Sequence, residues 1–225
     1  MKQILFIALA MFGYFEFANA YSIQEDKKNC DKGMMRGCSN IGYLYQKGIG
    51  VKKNYSKAIK YYTKACSGGY AIGCSNLGLV YRDGLGVRID YKKAKKLFDK
   101  GCKGKDGFGC NNVGSAYYKG SGVQKNYRKA VSYYEKACDL GYAMGCRNVG
   151  LLYLKGSHIK KDYKKAKKTL LKACDKKDGR GCFYLGAMYL EGQGGIHADS
   201  KKAKKYFKKS CKYGEKRACD YLRSN

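Results

Sequence analysis

The 225-residue sequence has no proline, no tryptophan and two histidines, and sets 17 acidic residues against 47 lysines and arginines. With so few histidines and no C-x2-C spacing there is no ligand cluster for zinc, so neither metal nor cofactor is expected. Its longest apolar run covers residues 4–15. That is short of the ~20 residues a membrane-spanning helix requires, so no span is expected. Apolar residues are not scarce, however. At 44% hydrophobic the chain can build a packed core, which excludes wholesale disorder, and its length admits one large domain or two small ones. The shortage of acids leaves a formal charge of +30. Such a surface attracts polyanions with little demand on geometry. No nucleic-acid recognition motif accompanies the charge, so anionic envelope or host surface molecules are the expected partners rather than a specific nucleic acid.

The amino terminus follows an export pattern: Lys2, then the apolar run, then Ala18-Asn19-Ala20 as an A-x-A cleavage site. Residues 1–20 are therefore expected to be a cleaved signal peptide. The mature chain would begin at Tyr21 and be secreted or periplasmic, in an oxidising environment.

Cysteine is what the chain has in plenty: twelve, in pairs eight apart, at 30/38, 66/74, 102/110, 138/146, 174/182 and 211/219. Successive pairs advance by 36, 36, 36, 36 and 37 residues. A sustained period of this kind denotes a repeat protein. Aligned on their cysteines, the repeats show a glycine column (Gly42, Gly78, Gly114, Gly150, Gly186) and a tyrosine column (Tyr45, Tyr81, Tyr117, Tyr153, Tyr189). A loop-opening glycine follows, and then an alanine column (Ala58, Ala94, Ala130, Ala166, Ala203) displaced by one in its last member. Each unit reads as two helices. Ile41, Leu44 and Tyr45 recur at helical spacing in the first, while Ala58, Tyr62, Ala65 and Cys66 form one stripe on the second. A lone hairpin cannot bury that stripe, but stacked hairpins can. The expected fold is all-α, a right-handed α-solenoid of about five to six helix-hairpin repeats with a 36-residue period. Capping helices are expected over 21–33 and 215–225, flanking an array over 34–214.

Geometry selects the disulfides. Two cysteines eight apart on one continuous helix would stand roughly 12 Å apart, beyond the ~7 Å reach of a bridge. Equivalent cysteines on stacked repeats would be on the order of 8–10 Å apart, also too far. A helix break between the two members makes them face one another, so the expected pairs are Cys30–Cys38, Cys66–Cys74, Cys102–Cys110, Cys138–Cys146, Cys174–Cys182 and Cys211–Cys219. Each is worth roughly 2.5 kcal/mol in the chain-entropy treatment.

The columns Gly-x-x-Tyr and Ala-x3-aromatic-x2-Ala are similar to the tetratricopeptide repeat, but the glycine–alanine stretch is longer and the closing proline is missing. Those departures make the match the Sel1-like repeat, as in Gly73-Cys74-Ser75-Asn76-Leu77-Gly78-Leu79-Val80-Tyr81. With a C-x7-C pair in every unit, the chain resembles the Helicobacter cysteine-rich protein family. The resemblance implies an exported β-lactamase or penicillin-binding protein acting on β-lactam or peptidoglycan-type ligands. The alternative is a non-catalytic, monomeric scaffold for extended peptides.

No hydrolase motif supports the first reading. The one S-x-x-K, Ser157-His158-Ile159-Lys160, lies in a loop without S-D-N or K-T-G elements, and catalytic residues remain unassigned. A binding column is easier to discern: Asn40, Asn76, Asn112 and Asn148 stand two residues past a first-helix cysteine, and Tyr184 breaks the series. Asparagine is an indifferent helix former and offers both donor and acceptor to a peptide backbone. By similarity to tetratricopeptide folds these four would line a ligand groove; bridges between adjacent helices are the equal alternative. Lysine rows at 92, 93, 95 and 96, at 164, 165, 167 and 168, and at 201, 202, 204 and 205 read as a solvated outer face.

Overall fold

The structure, a computed structural model, describes residues 23–156 and 158–224. The expected signal peptide and Ser157 lie outside the described residues. The chain divides after Gly104 into two compact units, and among the described residues both are helical without strands. The first unit holds α1 (23–31), α2 (Met35–Lys47), α3 (Tyr55–Ser67), α4 (Ala71–Asp83) and α5 (Tyr91–Lys103). The second holds α6 (Gly107–Lys119), α7 (Tyr127–Asp139), α8 (Ala143–Lys155), α9 (Tyr163–Asp175), α10 (Gly179–Glu191), α11 (Ser200–Lys212) and α12 (Lys216–Ser224). Within each unit successive helices pack pairwise, giving stacked hairpins in the α-solenoid manner. The even-numbered helices are the first helices of the repeats and the odd-numbered ones the second.

Glycine brings the two helices of a hairpin together. A Cβ at Gly42, Gly78, Gly114, Gly150 or Gly186 would come within 2.6–2.9 Å of Tyr62, Phe98, Tyr134, Leu170 or Phe207 respectively. Any larger residue would push the second helix away. Ala58, Tyr62, Ala65 and Cys66 are all buried, as the stripe required, and Lys57, Lys60 and Lys64 are exposed.

Each hairpin loop closes in the same three ways. The side chain of Asn54, Asp90, Asn126, Asp162 or Asp199 caps the second helix, accepting from the N–H of Lys57, Lys93, Lys129, Lys165 or Lys202. The capping residue's own N–H donates to the carbonyl of Tyr45, Tyr81, Tyr117, Tyr153 or Tyr189 at 2.8–3.0 Å. The capped lysine then lays its Nζ over that same tyrosine ring, 4.0–5.6 Å from the centroid. A cap contributes ~1 kcal/mol and an exposed cation–π pair ~0.5–1 kcal/mol. The surplus residue of the last loop is absorbed by a short 3-10 turn, Gln193–Gly195, with Gly194 and Gly195 at φ +66° and +77°.

Within each unit the cysteines join the end of a second helix to the start of the next first helix. Cys30–Cys38, Cys66–Cys74, Cys138–Cys146, Cys174–Cys182 and Cys211–Cys219 are bridged with Cα separations of 4.5–4.8 Å. Cys102 and Cys110 are disulfide-bonded too, and no described cysteine is free. Left-handed residues make the turns between bridged helices. Lys105 and Lys177 take that conformation, φ 64° and 63°, where other repeats have glycine.

Candidate functional site

The asparagine column falls on the first helices. In the first unit, Asn40 is exposed and its amide donates to Asp26 Oδ1 on α1 at 3.0 Å, while Asn76 on α4 is half-buried. In the second unit Asn112 is buried and donates to the Phe108 carbonyl, one helical turn back, at 2.9 Å. Asn148 donates to Oδ1 of buried Asn111 at 2.9 Å, tying α8 to α6. Asn40 and Asn148 therefore bridge neighbouring repeats. An amide carries two donors and an acceptor, so the single bonds made by Asn40 and Asn148 leave capacity for a ligand.

The column continues past its break. Two residues beyond Cys219 stands Tyr221, so the second unit reads Asn112, Asn148, Tyr184, Tyr221 along α6, α8, α10 and α12. At the aromatic end a pocket of ≈ 640 Å³ opens, with Leu154, Phe183, Tyr184, Ala187, Leu190 and Tyr221 among its walls. Phe183 meets Tyr184 edge-on at 5.7 Å and tilts against Phe207 at 5.5 Å, which in turn lies 4.5 Å from Tyr221. The Arg217 guanidinium covers the Phe183 ring at 4.4 Å and is bonded to Glu215 Oε1 at 2.7 Å. The hydrogen bond from Arg217 holds the Glu215 carboxyl below the usual carboxylate range, and the same bond pushes the guanidinium further up. Apolar periodicity gives no signal for Arg217 or Tyr221; the place of Tyr221 two residues past the last cysteine does.

One more polar contact is buried in this unit. Arg147 pairs with Asp178 at 2.7 Å, both mostly covered, and Asp178 Oδ1 also caps α10 through the N–H of Gly181. Burial raises the hydroxyls of Tyr62 and Tyr134 above the usual tyrosine range; a hydrogen bond with Ser115 partly offsets the shift at Tyr134.

Of the S-x-x-K stretch, His158 to Lys160 are described. His158 stacks on Tyr127, centroids 3.9 Å apart and rings 2° from parallel, with Tyr118 edge-on to both, and Lys160 is exposed. Among the described residues no three His, Cys, Asp or Glu side chains gather as a metal site. The lysine rows lie on the second helices at the surface. Lys167 bends over the Tyr189 ring at 5.2 Å and Lys95 pairs with Asp99 at 2.7 Å.

Fold and surface define a class: a disulfide-stapled array of helix hairpins presenting polar and aromatic side chains from its first helices. The Sel1 repeat family model matches residues 36–70, 71–106, 107–142, 143–178 and 179–214, and the chain belongs to the Sel1 repeat family. A Sel1 repeat protein from Oxalobacter formigenes is 30% identical with a TM-score of 0.79, over 90% of this chain and 89% of that one. A protective antigen of uropathogenic Escherichia coli with an SLR fold is 27% identical with a TM-score of 0.77, over 86% of this chain and 41% of that one. Helicobacter pylori cysteine rich protein B is 33% identical with a TM-score of 0.48, over 58% of this chain and 94% of that one. Comparison with curated protein sequences returns no match. Disulfides throughout the repeats suit an oxidising, extracytoplasmic setting, and no described helix is long and apolar enough to cross a membrane.

Proposed function

We propose that the protein is an exported, non-catalytic scaffold that binds extended peptide segments of other proteins along its first helices. The observation that carries this reading is the asparagine column. It recurs at one helical phase, and Asn40 and Asn148 keep hydrogen-bonding capacity after bridging their neighbours. A peptide backbone, with alternating donors and acceptors, is the complement of such a column. The β-lactamase reading rests on family resemblance alone.

The test pairs two assays on oxidised protein. A random-sequence peptide library supplies binders, and Asn76→Ala and Asn148→Ala should each weaken the selected peptides about fivefold, the worth of one hydrogen bond. A chromogenic cephalosporin should show no turnover above a reduced, unfolded control. Turnover clearly above that control would overturn the proposal, as would peptide affinities indifferent to both asparagine substitutions.

A further inference from the structure

We infer that the pocket between α8, α10 and α12 is a specificity site for an acidic peptide bearing a large apolar side chain. This deepens the scaffold reading and rests on it. The volume, ≈ 640 Å³, lies in the range of sites built for small molecules or anchoring side chains. Its walls are apolar, and they are not sealed: Leu190 is 36% exposed, and Leu154, Tyr184, Ala187 and Tyr221 are half-buried. An aromatic-lined hollow at the end of an amide column suits a chain whose backbone lies on Asn148 while one side chain drops between Tyr184 and Tyr221.

Charge identifies the flanks of that peptide. Lys155 and Lys161 stand at the rim, Lys161 against Tyr163 and neither paired with an acid among the described residues, and Arg217, fixed by Glu215, closes the side beyond Phe183. The pocket's own acid, Glu191, is bonded to Gln193. The whole chain carries 47 basic residues against 17 acidic, so carboxylates beside the anchor are attracted and a basic peptide is repelled. The same charge opposes a second copy of this chain as occupant.

The probe is a dye-labelled heptapeptide with a central phenylalanine flanked on each side by three glutamates. Two controls accompany it, one with alanine at the centre and one with lysine flanks. Wild-type protein should bind the phenylalanine peptide at least tenfold more tightly than the alanine peptide, from burial of the ring, and should bind the lysine-flanked peptide more weakly than either. Tyr184→Ala removes a wall and Ala187→Trp fills the space. In both variants the phenylalanine-to-alanine ratio should fall below twofold, with helicity unchanged by circular dichroism. Equal affinity for the two glutamate peptides in wild type would overturn the inference. So would a preference that survives both variants, or loss of the preference in favour of benzylpenicillin binding or self-association at the same walls. Asn148→Ala should weaken the phenylalanine and alanine peptides equally. If it affects neither while the pocket preference stands, the backbone-holding role of the column fails and the pocket does not.

Discussion

Replacing Gly78 with alanine tests the packing on which every hairpin depends. The new Cβ would lie 2.8 and 2.9 Å from two atoms of the Phe98 ring. Carbon atoms rest ~3.5–4.0 Å apart, so α4 and α5 must separate or the ring must turn. Phe98 is only 2% exposed and has no free space to turn into. Overpacking of this kind costs about 1–3 kcal/mol, while alanine recovers ~1 kcal/mol over glycine in a helix interior. The expected net loss is on the order of 1 kcal/mol. Urea unfolding of the oxidised protein, followed by circular dichroism, measures it. Phe98→Ala, which removes the ring atoms that the new Cβ meets, should relieve the clash. The double variant should then be about 1 kcal/mol more stable than the two single losses predict. A stabilising Gly78→Ala, or strict additivity with Phe98→Ala, would refute the reasoning.

Three other outcomes follow from the geometry. Converting Cys66 and Cys74 together to serine should lower stability by roughly 2.5 kcal/mol, and the difference from wild type should vanish in excess reductant. Lys177→Gly should raise stability by about 0.5 kcal/mol. It relieves a side chain at φ 63°, worth ~1–2 kcal/mol, against the ~0.5–1 kcal/mol entropy cost of glycine; a destabilised variant in urea titration would contradict it. Tyr62 is neutral in folded and unfolded chains below pH ~10 and adds no pH dependence there. Above that pH the unfolded chain loses the proton first, so stability falls as pH rises. In a spectrophotometric titration at about 295 nm, Tyr62→Phe should remove one tyrosine from the late-ionising class and none from the early one.

The repeat, its two helices and the cysteine partners were legible because each was written several times over at a fixed period. Gly42 and its equivalents were legible as a column for the same reason. What escaped was information carried by polar residues in loops. The capping column at 54, 90, 126, 162 and 199 is shared between asparagine and aspartate, so a search by single residue type passes over it. The lysine that follows it was counted with the solvated face, although its ammonium lies over a tyrosine. Partners fixed by tertiary structure were also out of reach. That Asn40 meets Asp26 and Asn148 meets Asn111 depends on how neighbouring first helices stack. His158 stands in a loop position occupied by glycine at 50, 86, 122 and 194. There a Cβ on Gly86 would sit 2.5 Å from the Tyr55 Cβ, and in the fourth repeat the imidazole instead stacks on Tyr127.

The bridges span very little chain, and this sets how the molecule comes apart when cut. In a repeat such as that from Cys38 to Cys66, the hairpin loop 48–54 lies outside every covalent ring, whereas the turn 67–73 lies inside the ring closed by Cys66 and Cys74. A protease that clips inside the ring leaves one covalent particle, invisible on a non-reducing gel. A clip in the hairpin loop leaves two chains joined only by packing. Lysines stand close to both kinds of site, at 52, 53 and 64. Survival in a proteolytic environment is therefore decided at the hairpin loops, where the capped tyrosine–lysine closure, not sulfur, keeps the backbone from opening to an enzyme.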